Sequence, residues 1–332
     1  MLKNENEGEG PNKRLLPPFV QYSEWLQLCC CSFAMFVLER YIISISISLL
    51  STIPISLISI RQGARKAYLA VISIAVFMSL PFGYEGFMSY VFITGIMGIA
   101  FGIIAGKTKS AGETILGLLI VALASELIFE GLMFYSRGYS FTFDENRLIE
   151  FVKSLEDSGV SEDIIELVKQ NFNHIIPSVL IIISGFTAFM NYLFVSIIEQ
   201  RRRKKISSDS STGTNELEIF PLPPFEQWSF PRSLLTAFIF AFFLTLFEAY
   251  ETSVLLISSV LNILITTFIL FTIQGLSFVW WWVLSRNLYF GVRFSIMIVM
   301  FLFISVFFLG LIVMGTLDIT FNLKQRMRRK NT

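Results

Sequence analysis

Long apolar runs, separated by short polar corners, dominate this chain. The run from Thr252 to Ser285 holds no charged residue. Those from Phe87 to Gly106, Ile175 to Ile198 and Phe294 to Leu317 hold none in their interiors. A hydrocarbon core about 30 Å thick takes about 20 such residues as a helix. In lipid the backbone must satisfy its own hydrogen bonds, so each run is predicted to be helical. Spans are expected at 24–38, 42–60, 68–80, 87–106, 113–135 and 175–198. Pro54 is expected to bend the second, and Pro81-Phe82-Gly83 turns the chain after the third.

Between the fifth and sixth spans lies a polar excursion, 137–174. Leu148, Phe151, Val152 and Leu155 repeat at helical spacing, as do Ile164, Leu167, Val168 and Phe172 after Ser161. A pair of short amphipathic helices is expected there, lying over the bundle. A seventh span at 233–246, an apolar stretch at 254–284 and a last span at 294–315 complete the pattern. As one helix 254–284 would be about 46 Å long, so a split or an interfacial end is expected near Trp280-Trp281-Trp282.

The fold class is therefore all-α: a polytopic membrane bundle of eight to ten transmembrane helices. Its expected organisation is a polar segment (1–23), a six-span core (24–200) carrying the external helix pair, a basic and Ser-rich linker (201–230), a C-terminal bundle (231–317) and a basic tail (318–332). Arg61, Arg65 and Lys66, then Lys107 and Lys109, then Arg201–Lys205 fall on one side when the spans alternate. By the positive-inside rule that side is the cytoplasm. The excursion, with Asp144, Glu145, Glu150, Glu156 and Asp157, is then external. The protein is expected in the cell membrane, and the start of the chain does not read as a cleavable signal.

Composition narrows the chemistry. Hydrophobic residues make up 54% and charged residues 15%, and the net charge of +1 points to no nucleic-acid partner. Cys29, Cys30 and Cys31 are adjacent and cannot staple distant segments. His174 is the only histidine, which argues against a histidine metal site or a Ser-His-Asp triad. No HExxH, GxSxG or CxxC pattern is present, and Gly102 to Thr108 is one residue short of a phosphate-binding loop. No enzyme activity, metal or cofactor is expected.

Four motifs resemble the YybS-like family of bacterial membrane proteins. They are Ile53-Pro54 with Ile60-Arg61-Gln62-Gly63; Leu222-Pro223-Pro224-Phe225-Glu226-Gln227-Trp228 with Pro231-Arg232; Asn262 with Gln274-Gly275-Leu276-Ser277; and Gly315-Thr316-Leu317-Asp318 before basic residues. That family is functionally uncharacterised. The layout of its first six spans is remotely similar to the S components of energy-coupling-factor transporters and to the rod-shape protein MreD. The likeness is one of fold, which alone does not imply function.

Glu126 and Glu130 share one face of the fifth span. Counted from Glu113, they lie about 20 and 26 Å across. A carboxylate at membrane depth costs about 3 kcal/mol or more unless paired, protonated or wet. With Arg40, Arg137, Glu248 and Asn262 in the same outer layer, they are the candidate binding residues for a small solute. Asn191 and Gln274 read as interhelical hydrogen bonds. Gly98, Gly102 and Gly106 form a small-residue stripe suited to close helix packing. The expected function is of transport type: an outward-facing pocket binds a small solute, and cytoplasmic coupling or ATPase subunits supply energy. The alternative is a membrane scaffold or assembly factor acting through the Gly stripe, the basic clusters and the linker.

Overall fold

The computed structural model describes residues 18–42, 50–137, 153, 162–209, 219–246, 254–286 and 289–330, all helix, turn or coil and none in a strand. The helices are α1 (Pro18–Ile42), α2 (Thr52–Gln62), α3 (Ala64–Ser89), a π-helical segment (Tyr90–Gly95), α4 (Ile96–Ala105), α5 (Ala111–Arg137), α6 (Glu162–Asp209), α7 (Ser233–Leu244), α8 (Val254–Ser285), α9 (Phe290–Leu302), α10 (Ile304–Phe321) and α11 (Leu323–Lys330). Among the described residues, four stretches are long and apolar enough to cross a bilayer: Ala64–Ala105, Ala111–Ser136, His174–Lys204 and Leu256–Ser285. Ser233–Leu244, Phe290–Met300 and Val306–Phe321 are shorter apolar helices. This is the expected all-α membrane bundle.

Several boundaries differ from expectation. Of the second span expected over 42–60, residues 43–49 lie outside the described residues. α2 has 11 residues, about 16 Å of rise, too short to cross. Pro54 lies in its first turn, where a missing N–H costs nothing, so it starts the helix instead of bending it. The turn after the third span is present: Gly83 breaks the helix at φ +62°, ψ −157°. The helix expected after Ser161 exists, but it runs on unbroken through Pro177 into the sixth span and its basic end. The first helix of the expected pair, around Leu148–Leu155, lies outside the described residues. The stretch 254–284 is one helix, not two. The break falls instead in the last apolar stretch, at Phe303, with φ −106° and ψ +27°.

The chain forms two compact units, Met1–Gly138 with Ile183–Leu222 and Tyr139–Ile182 with Pro223–Thr332. One boundary thus falls inside the sixth span, between Ile182 and Ile183, and another between Leu222 and Pro223, within the expected linker.

In the first unit α2 is the central element. Eight of its residues, Thr52 to Ser59, are buried. α4 lies against it, and glycines permit the approach. A Cβ on Gly98 would come within 2.6 Å of Ile55, and one on Gly102 within 2.3 Å of Ser59 Oγ. Gly106, the third member of the stripe, is the exposed C-cap of α4. The core around α2 holds Ile53, Leu57, Met97, Phe101, Leu118 and Tyr192. Large apolar side chains such as Phe77, Leu80, Leu116 and Ile120 point outward. Apolar groups outside and polar groups inside are what a lipid solvent demands.

In the second unit α8 and α10 cross at Gly275 and Gly315. A Cβ on either would stand 2.1 Å from a backbone oxygen of the other helix, that of Leu311 or Phe271 respectively. Phe271, Ile312 and Ile319 form the core there, with Phe230, Leu234 and Phe238 packed on it.

Candidate functional site

A line of buried polar side chains runs along α6 in the first unit. Ser184, Thr187, Asn191 and Glu199 lie on its buried face, and all are at most 5% exposed. They cover about 22 Å of helix, most of a hydrocarbon core. At one end Ser184 Oγ donates to Glu126 Oε2 of α5 at 2.9 Å. In the middle Asn191 Nδ2 donates to Ser56 Oγ of α2 at 3.1 Å. Between them Thr187 Oγ1 is buried and has no hydrogen-bond partner among the described residues. At the other end Glu199 accepts from Arg61 Nε at 2.5 Å, and Arg202 Nη1 lies 3.5 Å away.

Arg61 also contacts Glu24 of α1 through Nη1, at 2.5 Å. Its planar guanidinium serves two carboxylates at once, so α1, α2 and α6 are tied by one side chain. Arg61 is both one of the expected cytoplasmic markers and part of the Ile60-Arg61-Gln62-Gly63 motif. Its two partners, Glu24 and Glu199, were not singled out.

The opposite end of α2 is held by a second carboxylate. Glu39 of α1 is 4% exposed. Its Oε1 accepts from the amides of Leu50 and Ser51, and its Oε2 accepts from Ser51 Oγ at 2.7 Å. The first N–H groups of a helix lack intrahelical acceptors, and a carboxylate there gains from the helix dipole. Glu39 thus holds, from a different helix, the two residues that lead into α2 and places its charge at that helix's N-terminal end. Ser32 Oγ donates to Ser51 O at 2.7 Å and lies 2.6 Å from Tyr90 OH, at the start of the π-helical segment. Ser51 Oγ is 3.3 Å from Thr94 Oγ1 in the same segment.

The second unit has its own buried cluster. Asp318, 4% exposed, accepts from Gln274 Nε2 at 2.6 Å and pairs with Lys324 Nζ at 3.3 Å. Its other oxygen accepts from the Lys324 amide at 3.2 Å. Lys324 Nζ also donates to Trp228 O at 2.7 Å and to Ser277 Oγ at 2.8 Å. The carboxamide oxygen of Gln274 accepts from Phe230 N at 3.1 Å, and Ser277 Oγ donates to Phe225 O at 2.6 Å. Three of the four sequence motifs therefore meet here. The Pro-rich segment 222–230 gives up its backbone groups to Gln274, Ser277 and Lys324, with Asp318 neutralising the lysine. A buried ion pair is tolerable when further hydrogen bonds satisfy both partners, as here.

Four of the candidate binding residues have described side chains. Glu126 is half-buried and bonded to Ser184. Glu130 is exposed one turn further along α5. Arg40 is half-buried near the end of α1, next to Glu39. Arg137 ends α5, but its side chain lies outside the described set, as does Glu248. Asn262 belongs to the second unit, where its carboxamide contacts backbone groups of His174 and Ser178. Asn191 and Gln274 make the interhelical hydrogen bonds expected of them. The α6 stripe was legible at helical spacing as Ser184, Thr187 and Asn191 in an otherwise apolar run. The lysine that closes the second cluster was hidden among five basic residues.

No curated protein and no solved structure matches this chain. A family model described as a predicted membrane protein family, DUF2232, matches residues 31–319. That span takes in α2, the α6 stripe and the Asp318 cluster apart from Lys324, and the chain belongs to this family of predicted membrane proteins.

Proposed function

We propose that this protein binds a small polar solute within its first unit, as a membrane protein of transport type. The observation that carries the reading is the buried polar stripe of α6, from Ser184 to Glu199, with the Glu126 carboxylate at one end. Polar groups inside a membrane protein are costly and tend to mark solute or ion pathways. Thr187 supports the same reading: a threonine hydroxyl left without a partner in a dry core loses about 1–3 kcal/mol, which a bound molecule would recover. The chain offers no nucleotide-binding motif, so energy for uptake would come from partner subunits. The remote likeness of the first six spans to energy-coupling-factor S components fits this division of labour. The scaffold alternative loses one of its surfaces, because Gly98 and Gly102 face Ile55 and Ser59 within the unit.

The test compares the wild type with Glu126→Gln and Thr187→Val, each purified gently from membranes. Small molecules and subunits retained by each are identified by mass spectrometry. A small molecule held by the wild type and lost from both variants, with melting unchanged, is the expected result. Identical small-molecule content in all three would end the transport reading, and retention of cell-wall or division proteins instead would favour a scaffold.

A further inference from the structure

α11 is a short basic helix whose position is set by the cluster beneath it. Its eight residues, Leu323–Lys330, include Lys324, Arg326, Arg328, Arg329 and Lys330, and no acid. It follows the apolar α10 after a single residue, Asn322, in the left-handed conformation (φ +49°, ψ +50°). Such a one-residue corner leaves no length for the chain to move away from the membrane helix. The first turn is then pinned. Asp318 accepts the Lys324 amide, and the Lys324 ammonium turns inward to Asp318, Ser277 and Trp228.

One of the five cations is thus used internally, and Arg326, Arg328, Arg329 and Lys330 follow it on a helix joined to the apolar α10. Arg326 is exposed, and so is Met327, at 40%. Leu323 and Met327 are four residues apart and share a face, with Lys330 one turn further on. Apolar side chains on one face with arginines around them are the pattern of a helix lying in the headgroup layer.

We propose that α11, a helix with five basic residues and no acid, is a binding surface for anionic phospholipid headgroups, with the exposed Arg326 as a phosphate contact and Met327 as the apolar anchor. Arginine suits this partner because its planar fork matches two phosphate oxygens. Lys324 has a different part: it positions the helix and does not touch lipid. This surface is independent of the solute-binding reading of the first unit.

The full-length protein in nanodiscs gives the test. One set contains phosphatidylcholine alone, the other about one-third phosphatidylglycerol. Cleavage by trypsin after Arg326, Arg328 and Arg329 is followed by intact mass. Cleavage at least several-fold slower in the anionic discs is expected, with protection lost near 0.5 M NaCl, where the screening length shrinks to a few ångströms. Phosphatidylserine in place of phosphatidylglycerol should protect equally, since charge is what is read. Equal cleavage in neutral and anionic discs overturns the proposal, whether both are slow (the helix is buried against protein) or both are fast. Arg326→Gln/Arg328→Gln leaves Arg329 as a cleavage site and should lose most of the lipid-dependent difference. Retention of the full difference in that variant would also overturn it.

Discussion

Asn262 accepts the backbone N–H of Ser178 through Oδ1 at 2.7 Å. In an unbroken helix that N–H would bond to His174 O, four residues back. Here His174 O accepts from Asn262 Nδ2 at 2.7 Å and from Ser258 Oγ at 3.1 Å. The carboxamide of α8 has entered the hydrogen-bond ladder of α6 next to Pro177, which has no N–H of its own to give. Asn262→Ala should leave a backbone donor unpaired in an apolar setting and destabilise the protein by about 2 kcal/mol. Thermal melting in detergent reads this. An unchanged midpoint would show that the clamp is dispensable.

Gly275 and Gly315 should be far less tolerant of a methyl group than other glycines of the second unit. Each would place a Cβ 2.1 Å from a main-chain oxygen, which cannot rotate aside. Gly291 has nothing within 4 Å of such an atom and serves as the control. Gly275→Ala and Gly315→Ala should each cost about 1–3 kcal/mol through forced separation of α8 and α10. Gly291→Ala should be near neutral. Melting of the three variants side by side is the measurement.

The Asp318–Lys324 pair should behave non-additively. Removing either partner leaves a buried charge uncompensated, at about 3–5 kcal/mol. Asp318→Asn and Lys324→Met are therefore each expected to lower the melting temperature strongly, and the double variant should recover part of the loss. A double variant whose loss equals the sum of the singles would rule out direct coupling.

Arg61→Lys should fail to replace arginine. A lysine ammonium is a compact charge and cannot present two edges to Glu24 and Glu199 at the observed geometry. A loss of about 1–3 kcal/mol is expected. Because Arg61 and Glu199 are 12% and 2% exposed, the difference from wild type should persist in high salt, where surface pairs are screened. Melting at low and high ionic strength checks both statements.

Hydropathy by itself determined that this is an all-α membrane protein, where most apolar helices run and that Gly83 interrupts one of them. These are local properties: the length of an apolar run and the conformational freedom of one residue can be read without knowing any neighbour. It also marked Asn191, Gln274 and Glu126 as polar groups needing partners. Which partner each finds was decided by tertiary structure. Glu39, an acid near the end of α1, binds the amides of Leu50 and Ser51 just before α2. Lys324 looked like one charge of a basic tail but closes a cluster with residues from 228 to 318. Asn262 was legible as a polar group in an apolar run, but that its carboxamide bonds the α6 backbone at His174 and Ser178 was not. In a bilayer interior a polar side chain is compelled to find a partner, and the nearest available one depends on which helices touch. That information lies in the packing of distant segments, which no local window of sequence contains.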